Sequence, residues 1–189
     1  MGQGSGESRV EAPIDRRDER ALVRAAQAGS DEAIEALYRS HWPRAHRAAY
    51  LIVHDGAASE DIAQEAFLAA IRALDRFDRR RPFAPWLHRI VVNRAIDWGR
   101  RRALRGEVDI DRANPHPAMT APSLADERQL GGDMVEALRA IAPDQRGMIV
   151  LRYLLDYTPG EIASMLGMPR GTVNSRLRRG LDRLGEALG

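Results

Sequence analysis

Arginines alternate with short polar side chains near the carboxyl end of the chain, in the segment RGTVNSRLRR that spans residues 170–179. Arginine can bind guanine through two hydrogen bonds, and asparagine can bind adenine in the same way. At about 100° per residue, a helix would place Thr172, Ser175 and Arg179 on one side. These residue types indicate recognition of base edges and phosphates. The candidate contact residues are Arg170, Thr172, Asn174, Ser175, Arg176, Arg178 and Arg179.

Two helices around a tight turn are predicted to position this segment. Thr158 and Glu161 have the spacing of a capping box, and Pro159 fits the first helical position. Gly167 is placed to end that helix in a left-handed conformation, after which Pro169 can open the second helix. Apolar residues then follow at steps of four, four, three and four and predict a buried stripe of Val173, Leu177, Leu181, Leu184 and Leu188. The pattern is typical of a helix-turn-helix in the DNA major groove, and a capped hairpin with a solvated arginine face also fits it.

A second basic segment, residues 77–105, combines arginines with aromatic residues. Two prolines and three consecutive arginines predict a loop over Arg79–Pro85, and a helix is predicted to start near Pro85. Its expected inner side consists of Leu87, Ile90, Val91, Ala95 and Trp98, and its other side of Arg89, Asn93 and Arg100, with Trp86 and Asp97 at the edge. A basic helix beside a basic loop suits unpaired nucleic acid, because arginines bind phosphates and aromatic faces stack on bases. The alternative is that both tryptophans are core residues, which the angular position favours for Trp98.

A third segment, residues 59–74, predicts an amphipathic helix with one apolar residue on its polar face. Ser59 is the expected cap, and the negative charges of Glu60 and Asp61 in the first turn are stabilising next to the positive end of the helix. The expected buried side consists of Ile62, Ala63, Ala66, Phe67, Ala70 and Leu74. Leu68 lies on the other side among Asp61, Gln64, Glu65 and Arg72. The pattern alone favours an ordinary exposed leucine over a protein-docking face.

Composition favours an all-α protein, and its all-arginine basic content fits either phosphate recognition or a GC-rich genome. Hydrophobic residues make up 44% of the 189 residues and aromatic residues 5%, and no long alternating β-type run occurs. The net charge is only +2, yet all 29 basic residues are arginine. They cluster at Arg79–Arg81, Arg100–Arg105 and Arg176–Arg183, which favours local phosphate contacts.

Nothing in the sequence indicates catalysis, a metal site or a cofactor. The chain has no cysteine, which excludes disulfides and thiolate metal sites. Its histidines lack metal-ligand spacing, and no phosphate-binding glycine loop occurs; the histidines are His41, His46, His54, His88 and His116. No apolar run reaches the length of a membrane span, and the N-terminus has no signal-peptide core. We therefore expect a cytoplasmic protein without membrane insertion that is not an enzyme.

Composition shifts divide the chain into two predicted helical domains on a flexible tether. Residues 1–18 are glycine-rich and charged and are expected to form a mobile tail. Residues 19–103 form the first helical domain, and residues 124–189 form the second. Between them, residues 104–123 contain three prolines and several acidic residues, a linker composition.

The three segments SEDIAQEAFLAAIRAL, PWLHRIVVNRAIDWGRRR and TPGEIASMLGMPRGTVNSRLRR, in this order, resemble bacterial RNA polymerase sigma factors of the extracytoplasmic-function group. The resemblance covers residues 19–103 and 124–189. It implies a sigma region 2 followed by a sigma region 4, and a chain that binds core RNA polymerase and directs promoter recognition, DNA opening and transcription initiation.

The resemblance also implies a role for each segment. Asp61, Gln64, Glu65 and Leu68 would contact core RNA polymerase, which overturns the reading of Leu68 as an isolated leucine. The −10 element and its non-template strand would be bound by Arg79, Arg80, Arg81, Trp86, Arg89, Asn93, Asp97 and Arg100, with a flipped base held in the loop. The third segment would read the −35 duplex. The family often has Lys or Arg at the position of Asn174; the neutral amide of Asn174 makes a phosphate contact less suitable there and favours base readout. Asp97 carries over less well than Asn93, because an ionised carboxylate cannot donate hydrogen bonds.

Core RNA polymerase and promoter DNA are thus the implied partners, and an anti-sigma factor is an inhibitory partner of many relatives. The acidic residues Glu107, Asp109 and Asp111 of the linker would thread towards the RNA channel of the polymerase. Two other classes remain open from the residues alone. A stand-alone helix-turn-helix regulator with a helical sensor domain would leave the arginine loop unexplained. The other is a helical interaction protein with no nucleic-acid role.

Overall fold

The computed structural model describes residues 15–105 and 132–189, and all regular structure in these two ranges is helical. The all-α prediction is confirmed. The α-helices of the described ranges are α1 (Arg16–Gln27), α2 (Asp31–Val53), α3 (Gly56–Arg72), α4 (Phe83–Leu104), α5 (Gly132–Arg139), α6 (Pro143–Ile149), α7 (Pro159–Leu166) and α8 (Arg170–Leu188). A 3₁₀ turn, Leu74–Arg76, follows α3, and a π-helical turn, Val150–Leu154, continues α6.

Short polar side chains fix where α2 and α3 begin and how they are joined. Ser30 accepts a hydrogen bond from the Ala33 amide at 3.2 Å, and Asp55 accepts one from the Ala58 amide at 2.9 Å. His54 separates the two helices in a left-handed conformation with φ 53°. The prediction that Ser59 caps α3 is wrong. Ser59 is fully buried one turn inside the helix, where its hydroxyl donates to the Gly56 carbonyl at 2.8 Å.

Helix α1 closes the N-terminal bundle and fixes the start of α4. It begins at Arg16, three residues before the predicted domain boundary. Its buried carboxylate, Glu19, accepts hydrogen bonds from the Phe83 amide at 3.1 Å and the Ala84 amide at 3.3 Å. Helix α4 starts at Phe83, two residues before Pro85, where a side chain 64 residues earlier satisfies its first amides.

The C-terminal half contains the predicted capping box and turn. The Thr158 amide donates to the Glu161 carboxylate at 2.8 Å, and the Glu161 amide donates to the Thr158 hydroxyl at 3.3 Å. Gly167 ends α7 with φ 64°, where a side chain would be strained. The helix-turn-helix geometry over α7 and α8 thus forms as the sequence predicts.

The buried stripe of α8 is shorter than predicted. Val173 is fully buried and Leu177 nearly so, but Leu181 and Leu188 are 37% and 46% exposed. Each step of four residues advances the stripe by about 40° around the helix, so a run of such steps drifts away from the core. Gly180 lies on the buried side instead, against Ile149 of α6.

The two halves pack directly on each other through α4 and α6. Gly147 of α6 lies against Val92 and Ile96 of α4, and a Cβ atom added there would lie 2.6 Å from Ile96 Cδ1. Helix α4 is consequently buried on more sides than its predicted inner side. His88, Val92 and Ile96 are buried, whereas Trp98 is only half-buried. The predicted linker, except for Leu104 and Arg105, lies outside the described residues, as does the predicted tail up to residue 14.

We predict that Glu19→Gln lowers the free energy of unfolding by about 1–3 kcal/mol at pH 7, because α4 loses a charge-assisted cap. Burial acts to raise the pKa of Glu19, but hydrogen bonds from His41 and the two amides outweigh it and lower the pKa below its ordinary value of 4.5. The stabilisation is therefore present above about pH 4.5 and is lost as the pH falls through the lower folded-state pKa. Urea denaturation of the wild type and the variant between pH 3 and pH 7 measures the loss of stability and its dependence on pH.

The exposed neighbour Asp18 provides the matched control, since Asp18→Asn removes the same charge from the same helix. Equal stability of Glu19→Gln and Asp18→Asn at pH 7 would show that Glu19 does not hold α4.

Candidate nucleic-acid and protein interfaces

The outer face of α3 combines acidic residues with one exposed leucine. Asp61, Gln64 and Glu65 are exposed, and Leu68 is 50% exposed. The Glu65 carboxylate accepts a hydrogen bond from the Arg94 side chain of α4 at 2.6 Å, which orients Glu65 on this face. The opposite side of the helix is buried as predicted. This face can therefore contact a partner without disturbing the core.

The loop between the 3₁₀ turn and α4 presents three arginines to solvent. Arg79, Arg80 and Arg81 are all exposed. The Asp78 carboxylate accepts from the Arg80 amide at 3.0 Å and from the Arg80 side chain at 3.1 Å. These bonds, the amide first, lower the pKa of Asp78 and keep it ionised within the basic loop. The Asp78 carboxylate thus stabilises the turn of the loop, and the loop keeps a net positive charge.

Aromatic packing supports the loop from below. Trp86 stacks on Phe77 with ring centroids 4.6 Å apart, and Phe83 packs against both rings at 5.7–5.9 Å. Trp86 is half-buried, so part of it remains at the surface beside the arginines. The structure therefore supports both readings of this residue, as a core contact and as a surface aromatic.

The exposed side of α4 continues from the loop. Arg89, Asn93 and Asp97 are exposed at successive turns. Arg100, the next in this series, instead forms a two-bond contact to the Asp144 carboxylate of α6, at 2.7 Å for each bond. Arg100, a predicted strand-binding residue of α4, is thus bound by a carboxylate of the C-terminal half.

The exposed side of α8 carries the other set of arginines. Arg170, Asn174, Ser175, Arg178 and Arg179 are exposed, and Thr172 and Arg176 are half-buried. The Arg179 side chain donates to the Ser175 carbonyl at 3.2 Å, so it is folded back along the helix. Arg178 has only a loose contact to Asp182 at 4.0 Å. Both guanidinium groups can reorient towards a ligand at little cost.

Asp144 joins the two candidate nucleic-acid surfaces. Besides Arg100, its carboxylate contacts Arg176 of α8 at 3.4 Å. One carboxylate therefore neutralises an arginine from each predicted DNA-binding set. Sequence reasoning missed Asp144, because nothing near it in the sequence links it to either set.

A buried histidine and tyrosine form a second contact between the halves. His88 Nδ1 lies 2.7 Å from the Tyr157 hydroxyl. Burial, with a smaller contribution from His41 and Arg44, lowers the pKa of His88 to about 3, so its ring is neutral. Burial also raises the pKa of Tyr157, which stays protonated. The pair is a neutral hydrogen bond that suits a dry interface.

Residues 15–105 and 132–189 contain no group of three or more His, Asp or Glu side chains placed to hold a metal ion. None of their helices is both long and apolar enough to cross a lipid bilayer.

Comparison with known proteins decides the family. Residues 37–105 match the family model of sigma-70 region 2, and residues 132–184 match that of sigma-70 region 4. The sigma factor CarQ of Myxococcus xanthus is 32% identical over 85% of this chain and 92% of its own length. The extracytoplasmic-function sigma factor SigM of Mycobacterium tuberculosis is 32% identical over 92% of this chain and 86% of its own. The chain belongs to the extracytoplasmic-function sigma factors.

Solved structures share the fold of this chain. CnrH, solved in complex with the cytosolic domain of CnrY, superposes with a TM-score of 0.64 at 26% identity, over 92% of this chain and 97% of that one. The sigma factor RpoE of Bartonella quintana, solved with the anti-sigma factor NepR, shares the fold with a TM-score of 0.55 at 22% identity, over 92% of this chain and 95% of that one.

The sigma-factor assignment confirms the predicted function. The chain is a transcription initiation factor that binds core RNA polymerase and directs promoter recognition and DNA opening. The two family models match in the predicted order, region 2 before region 4. A stand-alone regulator and a helical interaction protein are thereby set aside.

Proposed function

We propose that three exposed surfaces divide the work of this sigma factor. The face of α3 docks on core RNA polymerase, the arginine loop with the exposed side of α4 binds the unpaired −10 strand, and the exposed side of α8 reads the −35 duplex. One observation carries the proposal: nearly every residue in these sets is exposed on a helix or loop whose opposite side is buried. The chain has no catalytic role in this proposal and acts in the cytoplasm with the polymerase.

The docking role of α3 follows from burial and charge. Leu68 is an exposed apolar residue within an acidic rim, and desolvating such a residue in a complementary pocket is favourable. Its helix is capped by Asp55 and packed on α2 and α4, so the face is rigid before docking. A rigid surface loses little conformational entropy on binding.

The division between α4 and α8 follows from the state of the DNA that each can bind. A helix that protrudes with polar residues on its first turns can enter a major groove. A basic loop with a surface aromatic prefers unpaired bases and exposed phosphates. Preferential binding of the unpaired strand shifts the equilibrium from duplex to open DNA.

The two halves must separate before both DNA sites can be used together. Elements named −10 and −35 lie about 25 base pairs apart, or about 85 Å along the duplex. A compact chain of 189 residues is only about 40 Å across. Residues 106–131 have a fully extended reach of about 90 Å, which allows the separation. We therefore assign the packed arrangement to the free chain. By similarity to the complexes of related sigma factors, an anti-sigma factor is a further proposed partner.

The α3 surface is tested by Gln64→Ala combined with Leu68→Arg. The double variant should lose about 2 kcal/mol or more of binding to core RNA polymerase, roughly thirtyfold in affinity, because a charge replaces the apolar contact. Fluorescence anisotropy with labelled sigma factor measures the affinity.

Leu104→Arg makes the same change at a leucine that is 87% exposed at the end of α4, and it should bind normally. Native thermal stability with wild-type affinity in the double variant would defeat the docking assignment. Lost stability would contradict the exposure of this face.

The role of α4 is tested by Asn93→Ala. The variant should bind core polymerase and the upstream duplex normally but form fewer open complexes, because a side chain that can bind an unpaired base is gone. Permanganate footprinting on a promoter that the holoenzyme selects from a random library measures opening. A premelted bubble should restore activity only in part. Normal footprints with the variant would remove Asn93 from the strand contact.

The role of α8 is tested by Arg179→Ala, which should weaken duplex binding by about 1–3 kcal/mol and relax preference at one base position. Binding is compared on the selected −35 element and its single-base variants. Arg183→Ala removes the same charge one turn farther along α8 and should leave base preference intact. An unchanged preference in Arg179→Ala would exclude Arg179 from readout.

A further inference from the structure

Helix α1 lies outside the matched region 2, which begins at residue 37, and none of the proposed site residues belongs to it. Two of its arginines, Arg20 and Arg24, are exposed at positions i and i+4, so they share one face. The buried side of the same helix, with Val23 and Ala26, packs into the bundle. Helix α1 therefore presents a basic face to solvent, and the packing of its buried side does not require that face to be basic.

Hydrogen bonds hold α1 against the segment that carries the arginine loop. The Gln27 side-chain amide donates to the Leu74 carbonyl at 2.8 Å and to the Phe77 carbonyl at 3.0 Å. Glu19, two turns earlier on the same helix, binds the Phe83 and Ala84 amides. Both ends of the loop are thus tied to α1, so the α1 arginines and the loop arginines keep a constant relation.

Arg20 and Arg24 meet Arg79 and Arg80 across an open cleft of about 360 Å³ that these four side chains line. Arg80 is bonded to Asp78. Within the described ranges, Arg20, Arg24 and Arg79 have no carboxylate at ion-pair distance. Four like charges around one cleft repel each other, and a bound anion removes that repulsion.

We propose that Arg20 and Arg24 form, with Arg79 and Arg80, a phosphate-binding cleft for the unpaired promoter strand. The inference rests on the proposed role of the arginine loop, and it adds α1 to the DNA-binding surface. Guanidinium groups suit phosphate because each can donate two parallel hydrogen bonds to it. The cleft holds the backbone of the strand while the loop and α4 contact its bases. It supplies affinity that does not depend on sequence.

The test uses holoenzyme reconstituted from the full chain and core RNA polymerase, bound to a forked promoter probe with an unpaired non-template strand. The probe sequence is the one that the holoenzyme selects from a random library. Arg20→Gln and Arg24→Gln should each bind the probe about fivefold more weakly, and each should reduce the slope of log affinity against log salt by about 0.7. Arg24→Lys, which keeps the charge, should retain most of the affinity.

Arg39→Gln is the matched control, because Arg39 is an exposed arginine of α2 that pairs locally with Glu35 and does not line the cleft. It should leave the salt slope unchanged. A second probe carries neutral methylphosphonate linkages throughout the unpaired strand. On that probe the losses caused by Arg20→Gln and Arg24→Gln should disappear, because the contacted charges are already absent.

The outcomes separate this inference from the proposed function. If wild-type holoenzyme binds the forked probe but the α1 variants match Arg39→Gln, the cleft is overturned and the loop assignment stands. Losses that persist on the methylphosphonate probe would also overturn it, because Arg20 and Arg24 would then act on something other than the strand phosphates. If wild-type holoenzyme does not prefer the forked probe over duplex, both the cleft and the proposed role of the loop are overturned.

Discussion

The Arg146 guanidinium lies buried where the two halves of the chain meet, 7% exposed and without a carboxylate partner among the described residues. It donates to the Ile52 carbonyl at the end of α2, to the Ile141 carbonyl at 2.7 Å and to the Arg139 carbonyl at 3.3 Å. Burial, with a smaller contribution from Arg139, lowers the pKa of Arg146 to about 10, so it remains charged at neutral pH. Backbone carbonyls from both halves thus stabilise a buried charge, and the Ile52 carbonyl does so only while the halves are together.

The remaining contacts between the halves follow from that position of α6. Gly147 fits against Ile96 because it has no side chain, and Asp144 reaches Arg100 and Arg176. The packed chain therefore satisfies part of its own DNA-binding charge with its own carboxylate. The proposed separation of the halves would expose an apolar face and break the contact between Arg100 and Asp144, whereas Arg176 and Asp144 lie in the same half and stay together. Core polymerase and DNA would then supply the compensating contacts, which would link polymerase binding to the availability of the DNA sites.

Local sequence signals predicted local structure well. The capping box of Thr158 and Glu161, the left-handed Gly167 and the exposed position of Leu68 all depend on residues within one or two turns, which periodicity and cap chemistry capture. One local expectation failed: Asp55, four residues before Ser59, caps α3, and both side chains have the chemistry of a cap. The start of α4 depends on a distant part of the chain, because Glu19 accepts hydrogen bonds from its first amides from 64 residues away.

The candidate sites divide in the same way. Exposure of Arg89, Asn93 and Arg179 on their helices could be predicted from helical angle alone. The second buried side of α4, the pairing of Arg100 with Asp144 and the α1 wall of the arginine cleft could not, because each joins segments far apart in sequence. The exposure of Leu181 and Leu188 could be predicted in part, because helix geometry predicts their drift away from the core but not where the facing helix ends.

The distance between the two halves tests the account most directly. The chain has no cysteine, so Glu35→Cys in α2 and Glu186→Cys in α8, both exposed positions, allow specific spin labelling. Pulsed electron-spin resonance should find one short, narrow distance distribution in the free chain. In an active holoenzyme bound to its promoter, the distribution should move to a longer distance, because the two DNA sites must separate. A broad distribution in the free chain, or the same short distance in the active complex, would contradict the account.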